Sequence, residues 1–324
     1  MSIREKIISV LDIRREIDKA IKEVLDTGQY ILGNSVKKFE KEVALFHKKK
    51  YAVGVNSGTD ALMLSLRTLG IKEGDEVITT PFTFIAAAEV IAQTGAKPVF
   101  VDINYKDFLI NPFLIEKAIT EKTKAIIPVH LFGQVCDMKE IMRISKKYGI
   151  SVVEDAAQAF GKEGLGKGDF LCFSFHPSKC LGGCGDGGMI LTDNKKHCEI
   201  LRSLRNHGAD LSKGTEGKYY NIRLGFNSRL DEIQAAYLRE KLKYFKKEKI
   251  KRLWTFRTKN RDLLKKYLDK LGLDNKIYYT RLLHLQPAFK YLGYKKKDFP
   301  VAEQSAKECL SVNLYQSYKE YAKD

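Results

Sequence analysis

The sequence predicts an α/β protein with a mostly parallel central sheet, helices on both faces, and a smaller C-terminal α+β domain. Short segments that are apolar throughout, such as 51–55 and 125–129, alternate with amphipathic segments of helical length. Strands without a polar face are buried on both sides, which is typical of parallel sheets. The 324 residues also suffice for two domains of about 100–200 residues each.

The predicted elements begin with two helices and then alternate. Apolar residues recur at helical spacing from Ile13 to Leu25, and Gly28 is placed to end that helix as a C-cap. Gly70 is placed in the same way after the third helix. The other predicted elements are helices at 36–47, 59–69, 85–94, 112–119, 138–148, 195–206 and 229 to about 250, and strands at 51–55, 76–79, 97–101, 125–129, 151–154, 171–175 and 189–192.

We expect a large domain over residues 1–235 and a smaller, basic domain over 236–324, with a strand at 253–257 and a helix at 261–271. The segment Arg239–Lys270 contains fourteen Lys and Arg residues against four acidic ones. A solvated helical face is the favoured interpretation of this charge. There are two alternatives: the charge attracts an anionic substrate such as a nucleotide diphosphate, or it forms a surface that binds nucleic acid. The interleaved aromatics or known motif that would favour nucleic acid are lacking.

The composition indicates an ordinary globular enzyme, with 44% hydrophobic and 30% charged residues and a net charge of +17. No apolar run approaches the ~20 residues of a membrane span, and residues 1–10 lack the apolar core of a signal peptide. We therefore expect a cytoplasmic protein that does not bind membranes. The six cysteines form no C-x-x-C pair, so we interpret them as reduced thiols and expect no metal site.

A lysine and a carboxylate placed near the ends of apolar segments indicate the chemistry. Lys179 follows the strand 171–175, and Asp155 ends the strand 151–154. Such a lysine can form a Schiff base with pyridoxal phosphate, and such a carboxylate can keep the pyridine ring protonated as an electron sink. Gln158 could donate a hydrogen bond to the phenolic oxygen of the cofactor. The alternative role for Asp155 is a cap on the following turn.

The segment Asn56–Asp60 lies between a strand and a helix, where free amides and the Thr59 hydroxyl make a phosphate cup. The alternative is a plain N-cap turn. Ser174 could add a phosphate contact, or its hydroxyl could bond its own backbone. Phe84 could stack on the cofactor ring, with core packing as the alternative, and core packing is preferred for Phe82.

The run Gly183–Gly188 matches G-x-G-x-x-G, but it precedes a strand and not a helix. We therefore reject a dinucleotide site and interpret these glycines as tight turning near the lysine.

These motifs, in this order, strongly resemble the DegT/DnrJ/EryC1/StrS nucleotide-sugar aminotransferases. The matching segments are Gly28–Gly33, Asn56–Leu62, Gly74–Thr79, Glu154–Gln158, Gly185–Gly188, Arg205–Gly208, Gly225–Asp231 and Leu283–Phe289. The resemblance implies fold type I, the aspartate-aminotransferase type, and a homodimer with both active sites at its interface. It also implies pyridoxal 5'-phosphate as cofactor.

The resemblance assigns a role to each site residue. Lys179 is the Schiff-base lysine, where the dehydratase branch of the family has a histidine, and Asp155 and Gln158 bind the ring nitrogen and the phenolic oxygen. At the positions that bind the cofactor phosphate the chain has Gly58, Thr59, Asp60 (through its amide) and Ser174. Phe84 is at the position that stacks on the cofactor ring. Asn227 is at the position that binds the cofactor phosphate of the neighbouring subunit.

Relative to the family pattern the chain is shorter in the region 160–170, around 250–255 and at 310–324, which indicates either a trimmed smaller domain or segments that this sequence omits. The second and third of these regions lie in the smaller domain that helps to enclose substrate, so the nucleotide sugar and the carbon that receives the amine are left open. Arg229 and His284 are the candidate substrate contacts. For His284, and for His130, a satisfied structural histidine is the alternative.

The sequence thus predicts the transfer of an amino group from an amino acid, with L-glutamate implied by the resemblance, to a nucleotide-linked keto-sugar. A non-catalytic regulator of the same fold that binds the cofactor or a sugar nucleotide is the second hypothesis. A nucleic-acid-binding protein, which rests on the basic segment alone, is the third.

Overall fold

The computed structural model describes residues 13–214, 216–245 and 254–313. By contacts the chain divides into two compact units. The first unit is taken from Met1–Leu64 and Cys172–Glu248, and the second from Ser65–Leu171 and Lys249–Asp324. Each unit combines two stretches of chain, whereas the predicted domain boundary follows residue 235. That boundary stays a prediction.

The described residues form ten helices and ten strands besides short 3-10 turns. In chain order they are α1 (Arg14–Thr27), α2 (Asn34–Phe46), β1 (Tyr51–Val55), α3 (Gly58–Thr68), β2 (Glu76–Thr79), α4 (Ala86–Gln93), β3 (Lys97–Phe100), α5 (Pro112–Ala118), β4 (Thr123–Ile126), α6 (Met138–Tyr148), β5 (Ser151–Asp155), β6 (Phe170–Ser174), β7 (Gly188–Thr192), α7 (Lys195–Leu204), α8 (Glu232–Lys243), β8 (Trp254–Arg257), α9 (Arg261–Lys270), β9 (Asn275–Lys276), α10 (Pro300–Glu308) and β10 (Cys309–Val312).

In the first unit, β1 pairs antiparallel with β7, so that Val55 lies opposite Gly188, and β6 follows β7 in the sheet. Helices α1 and α2 pack on α8. The Glu232 carboxylate, at the start of α8, accepts hydrogen bonds from the Ser35 and Val36 amides at 2.7 and 2.9 Å. Because the first amides of a helix lack intrahelical partners, this carboxylate caps α2 and fixes α8 against it.

In the second unit, four strands lie in the order β5-β4-β2-β3, with parallel pairing between β5 and β4, β4 and β2, and β2 and β3. Helices α4, α5 and α6 connect these strands. A separate three-stranded antiparallel sheet has the order β8-β10-β9. Parallel strands with helical connections leave their carboxyl ends at one edge, which is where open α/β sheets bind ligands.

The predicted fold class is confirmed, because the central strands are mostly parallel and are joined by helices. Most helices and strands lie within three residues of their predicted bounds. Strand β4 ends at Ile126, short of the predicted Val129, where Pro128 lacks the amide that a ladder needs. Helix α8 begins at Glu232 and not at Arg229, and it ends at Lys243, well before its predicted end at about residue 250; residues 246–250 lie outside the described residues.

Three elements were missed. They are β9, α10 and β10, which are short, and β10 follows α10 without any intervening turn residue. Among the described residues, no helix has an apolar stretch long enough to cross a membrane.

Candidate active site

The turn after β1 forms the first cluster of predicted site residues. The amide of Asp60 donates to Ser57 Oγ at 3.0 Å, so Ser57 is the N-cap of α3. The preceding amides of Gly58 and Thr59 have no earlier helical turn to bond to. The plain N-cap alternative is therefore correct for Ser57 and Asp60, while the amides of Gly58 and Thr59 suit an anion.

Gly58 lies against Ser174, the last residue of β6. A Cβ built on Gly58 would stand 2.7 Å from the Cβ of Ser174, a distance that side chains do not tolerate. Ser174 Oγ accepts a hydrogen bond from the His176 amide at 3.3 Å, which leaves its proton to donate elsewhere. The structure thus brings together two predicted cup residues 116 positions apart in the chain, and helix amides beside a hydroxyl are a donor set that fits a phosphate.

The hydrogen bonds of Ser228 also hold the turn after β1 in place. The buried hydroxyl of Ser228 donates to Asp60 Oδ2 at 2.6 Å and accepts from the Asn56 amide at 3.2 Å. The carboxylate of Asp60 therefore serves the turn itself, and because its amide already bonds Ser57 Oγ, the contact of that amide with a cofactor phosphate stays a prediction. The sequence analysis did not single out Ser228, although it lies within a matching motif.

The predicted residues beside Ser228 have different surroundings. Asn227 is exposed, and its backbone pairs with that of Asn206. Arg229 is half-buried and donates from Nη1 to Asn206 Oδ1 at 3.3 Å. The contact of Asn227 with the cofactor phosphate of a partner subunit stays a prediction. The contact of Arg229 with substrate also stays a prediction.

Lys179 lies half-buried in the connection between β6 and β7, and its amide donates to the carbonyl of His176 at 2.8 Å. It is therefore five residues beyond Ser174 in the same unit as the cup. The glycines that follow were expected to make tight turns, and the backbone bends at Leu181 and again at Cys184 and Gly185. Within the run 182–188 only Gly182 has a positive φ, of 52°.

The other glycines of this run serve close packing. A Cβ on Gly188 would stand 2.2 Å from the carbonyl oxygen of Ser57, and one on Gly185 would stand 2.5 Å from Nε2 of Gln234. Strand β7 can approach the turn that bears Gly58 only because residue 188 has no side chain.

The second cluster of predicted residues lies in the second unit, at the carboxyl end of β5. Asp155 is buried, with 8% of its surface exposed, and its Oδ1 accepts from the amide of Ala157 at 3.1 Å. The alternative role as a turn cap is therefore also correct. A carboxylate has two oxygens with about four acceptor positions, so this cap does not exclude a bond to a ring nitrogen.

Gln158 has a defined amide orientation. Its Oε1 accepts from the amide of Phe132 at 2.9 Å, and its Nε2 donates to the hydroxyl oxygen of Tyr279 at 3.4 Å. Because a backbone amide can only donate, the oxygen of Gln158 is identified and the NH₂ group is the end that faces other acceptors. This orientation suits the predicted role of a donor to a phenolic oxygen.

Tyr279 was missed by the sequence analysis. Burial raises the pKa of its hydroxyl well above the usual value, so the phenol stays protonated. Its ring also meets that of Phe82 edge-on at 5.9 Å. Tyr279 lies in the segment Tyr278–Arg281, to which the sequence pattern assigned no role.

Phe82 and Phe84 differ as expected. Phe82 is fully buried and stacks on Phe108 at 5.7 Å, which confirms core packing. Phe84 is 60% exposed, so it is not a core residue, and its stacking on a cofactor ring stays a prediction.

Two buried histidines each contact a glutamate. His130 is fully buried, with Nε2 at 3.0 Å from Glu154 Oε2. His284 is 2% exposed, with Nε2 at 3.3 Å from Glu303 Oε1, and burial lowers its pKa. These surroundings favour the structural interpretation of both residues, and the substrate role of His284 stays a prediction. Within the described ranges no group of three or more His, Cys, Asp or Glu side chains is placed to hold a metal ion.

Comparison with known proteins identifies the family. The model of the DegT/DnrJ/EryC1/StrS aminotransferase family matches residues 11–257 and 249–323. The chain is 41% identical to the "pleiotropic regulatory protein" of Geobacillus stearothermophilus, over 95% of this chain and 91% of that protein. It is 38% identical to the UDP-2-acetamido-2-deoxy-3-oxo-D-glucuronate aminotransferase of Pseudomonas aeruginosa, over 94% and 92%. It is also 38% identical to the dTDP-3-amino-3,4,6-trideoxy-alpha-D-glucose transaminase of Streptomyces venezuelae, over 94% and 88%.

Solved structures agree with this result. The structure of S. venezuelae DesV in complex with a ketimine intermediate superposes with a TM-score of 0.88 at 38% identity, over 94% of this chain and 90% of that one. That of NtdA from Bacillus subtilis with bound cofactor PMP gives a TM-score of 0.84 at 32% identity, over 93% and 77%. This chain belongs to the DegT/DnrJ/EryC1/StrS aminotransferase family and is an aminotransferase of fold type I that depends on pyridoxal phosphate.

Proposed function

We propose that the enzyme transfers an amino group from L-glutamate to the ketone of a nucleotide-linked keto-sugar. The observation that carries the proposal is the position of Lys179, which follows Ser174 on the connection from β6 while Ser174 itself abuts Gly58. This position supports a phosphate cup and a reactive lysine at the same end of one strand. The nucleotide-linked sugars in the names of two relatives support the substrate class.

In this proposal the residues of the first unit bind the cofactor. The amides of Gly58 and Thr59 and the hydroxyl of Ser174 bind its phosphate, and Lys179 binds it covalently. Pyridoxal phosphate, when bound, supplies a carbonyl that reacts with amines and a conjugated ring that delocalises the charge left by proton removal.

Lys179 has a second task as general acid and base. With the cofactor bound, the amine of Lys179 would accept the proton that leaves the α-carbon of the amino donor and would act as the acid that returns it, and on the sugar it would serve in the reverse direction. An amine on a flexible stem suits this transfer because it remains tethered beside the reacting carbon.

The residues of the second unit control the electronics of the cofactor. Asp155 holds the proton on the ring nitrogen through a charge-assisted hydrogen bond. Gln158 donates from Nε2 to the phenolic oxygen, an orientation that the Phe132 amide imposes. Phe84 covers the ring face, and Arg229 and His284 are the candidate contacts of the substrate.

We further propose a homodimer in which Asn227 reaches the cofactor phosphate of the partner. Large apolar side chains lie exposed near this residue in the first unit, and such patches mark interfaces. They are Leu211, Tyr219, Tyr220, Ile222 and Leu224, of which Leu224 is 96% exposed. Light scattering of the purified protein tests this state. A cytoplasmic location stays part of the same proposal.

The decisive experiment is a screen of nucleotide-linked 3-keto and 4-keto sugars with L-glutamate as donor. The names of two relatives place the ketone or the amine at carbon 3, so a 3-keto sugar is expected to give an amino sugar and 2-oxoglutarate, both measured by mass. Lys179→Ala should abolish turnover, whereas Lys195→Ala, at a solvent-exposed lysine on α7, should not. If glutamate left the visible spectrum of the holoenzyme unchanged and no sugar were aminated, the proposal would fail.

A further inference from the structure

The buried pair His130–Glu154 lies directly beside the proposed cofactor residues but has no role in the reaction described above. We propose that Glu154, acting through His130, is a positioning residue that sets the orientation of Asp155 and Gln158 towards the cofactor. This inference rests on the proposed function of those two residues. The connection 129–136, which bears His130 and Phe132, transmits the effect.

Glu154 is a fully buried carboxylate that accepts three hydrogen bonds. The donors are Nε2 of His130 at 3.0 Å and the amides of Gly166 and Gly168 at 2.9 and 2.6 Å. A buried carboxylate is stable only when its acceptor positions are filled, so the three donors are held where the carboxylate requires them. A single side chain thereby fixes two separate connections, 129–136 and 164–168.

The tautomer of His130 is determined by its surroundings. Its Nδ1 accepts from the amide of Cys136 at 3.1 Å, and a backbone amide can only donate. The ring proton is therefore on Nε2 and is donated to Glu154, so neither ring nitrogen is free to change partner. The imidazole acts as a rigid spacer of fixed polarity between β5 and the connection 129–136.

His130 also binds the backbone of the residue that follows Glu154. Its amide donates to the carbonyl of Asp155 at 2.9 Å, and the amide of Asp155 donates to the carbonyl of Pro128 at 3.0 Å. Successive side chains of a strand point to opposite faces, so Glu154 anchors one face of β5 while Asp155 presents its carboxylate on the other. Displacement of His130 would thus rotate the peptide that carries Asp155.

Gln158 is connected to the same segment. Two residues beyond His130, the amide of Phe132 donates to Oε1 of Gln158 at 2.9 Å and so directs its NH₂ group. Phe132 has a φ of 56°, in the left-handed region, and a bulky residue keeps that conformation only where its surroundings impose it. Loss of the His130–Glu154 bond would release the turn on which the orientation of Gln158 depends.

The test is Glu154→Gln, assayed first without turnover. A glutamine at position 154 would turn its NH₂ group towards groups that are themselves donors. His130 could accept at Nε2 only if its ring proton moved to Nδ1, and that would break the hydrogen bond from the Cys136 amide. We expect a rise of roughly tenfold in the Kd of pyridoxal phosphate, measured by fluorescence, and a shifted visible maximum of the holoenzyme. The kcat should fall by roughly 10–100-fold with little change in the KM of the sugar, as misplacement near 1 Å can produce.

Three further variants separate positioning from folding. His130→Gln keeps one donor and one acceptor and should retain most of the wild-type spectrum and Kd, while His130→Leu should behave like Glu154→Gln. Glu303→Gln, in the other buried His–Glu pair, should lower Tm but leave the Kd and the visible maximum unchanged.

The outcomes distinguish the two levels of the argument. Suppose that Lys179→Ala abolishes turnover but Glu154→Gln keeps the wild-type Kd and visible maximum. The positioning role is then wrong and the proposed function stands. His130→Leu gives the same test if Glu154→Gln does not fold. If Glu303→Gln changes both readouts as much as Glu154→Gln does, the effect is one of general stability and the proposal is also overturned.

Discussion

The two clusters of proposed cofactor residues are built on different physical principles. In the first unit, the cup at Gly58 is made by close approach of backbone, which glycines at positions 58 and 188 permit. In the second unit, Asp155 and Gln158 stand in a network of buried polar side chains, with Glu154 and His130 wholly removed from solvent. The cup depends on the absence of side chains, and the Asp155 cluster depends on their exact hydrogen bonding.

This difference predicts how each cluster responds to substitution. A steric site tolerates changes of charge nearby but not an added methyl group, because backbone cannot move aside. A buried network tolerates shape-preserving changes poorly when they reverse a donor and an acceptor.

The largest effect is expected for Asp155→Asn. The amide keeps the shape of the side chain and can still accept from the Ala157 amide, but it carries no charge to hold a proton on the ring nitrogen. We expect kcat to fall by about 100–1,000-fold, the scale of one lost preorganised electrostatic contact, with Tm little changed. Steady-state kinetics and calorimetry measure both quantities.

Asp169→Asn is the matched control for that substitution. Asp169 also accepts from a backbone amide of the same unit, that of Val152 at 2.9 Å, without any proposed contact to the cofactor. Its kcat should stay within about threefold of wild type, less than the 1.4 kcal/mol of a tenfold change. A kcat for Asp155→Asn within tenfold of wild type would show that its carboxylate does not act on the ring.

Gly58→Ala should have the next largest effect. The added Cβ would stand 2.7 Å from that of Ser174, and overpacking of this kind costs about 1–3 kcal/mol. We expect a lower Tm and weaker binding of pyridoxal phosphate. The double variant Gly58→Ala with Ser174→Gly removes the clash and should recover Tm, although cofactor affinity stays reduced because the Ser174 hydroxyl is lost. Equal losses of Tm in the single and double variants would contradict the steric account.

Much of the steric cluster was predictable, because its signals are local in the chain. Gly58, Thr59 and Ser174 were identified from a strand-to-helix turn and a strand end. Asp155 and Gln158 were identified in the same way, three residues apart. The glycine run was recognised but assigned to turning, since a sequence does not reveal which backbone segment approaches each glycine.

The supporting network was not predictable, because its bonds join distant segments. His130 and Glu154 are separated by 24 positions, Phe132 and Gln158 by 26, and Gln158 and Tyr279 by 121. Hydrophobic periodicity identifies helices and strands one at a time and carries no information on such pairings. The same reason explains why β10 and its partners β8 and β9 were not paired in advance.

Ser228→Ala tests the hydrogen bonds beneath the cup. The substitution leaves Asp60 Oδ2 without its 2.6 Å donor and the Asn56 amide without its acceptor. A loss of about 1–3 kcal/mol in the free energy of unfolding is expected, measured by urea denaturation. Ser212→Ala, which removes an exposed bond to Asp210 in the same unit, should cost less than about 0.5 kcal/mol. Equal costs would mean that burial of the Ser228 bond contributes nothing.

The smallest effect is expected in acid, and it concerns the charge of the buried network. Burial alone would raise the pKa of Glu154, but the hydrogen bonds from His130, Gly168 and Gly166 outweigh it, so the pKa lies below its ordinary value of 4.5. A carboxyl group whose pKa is lowered by folding stabilises the native state fully above the unfolded pKa and loses that contribution as pH falls through the folded pKa.

Glu154→Gln has no such proton to bind. The difference in unfolding free energy between wild type and this variant should therefore be constant from pH 7 to about pH 5.5 and shrink below pH 4.5, as urea titrations at several pH values would show. The remaining carboxylates are shared by both proteins and cancel in the difference. A difference that grew in acid would mean that Glu154 binds its proton more readily in the folded state, and the network would then be held by a neutral acid and not by a carboxylate.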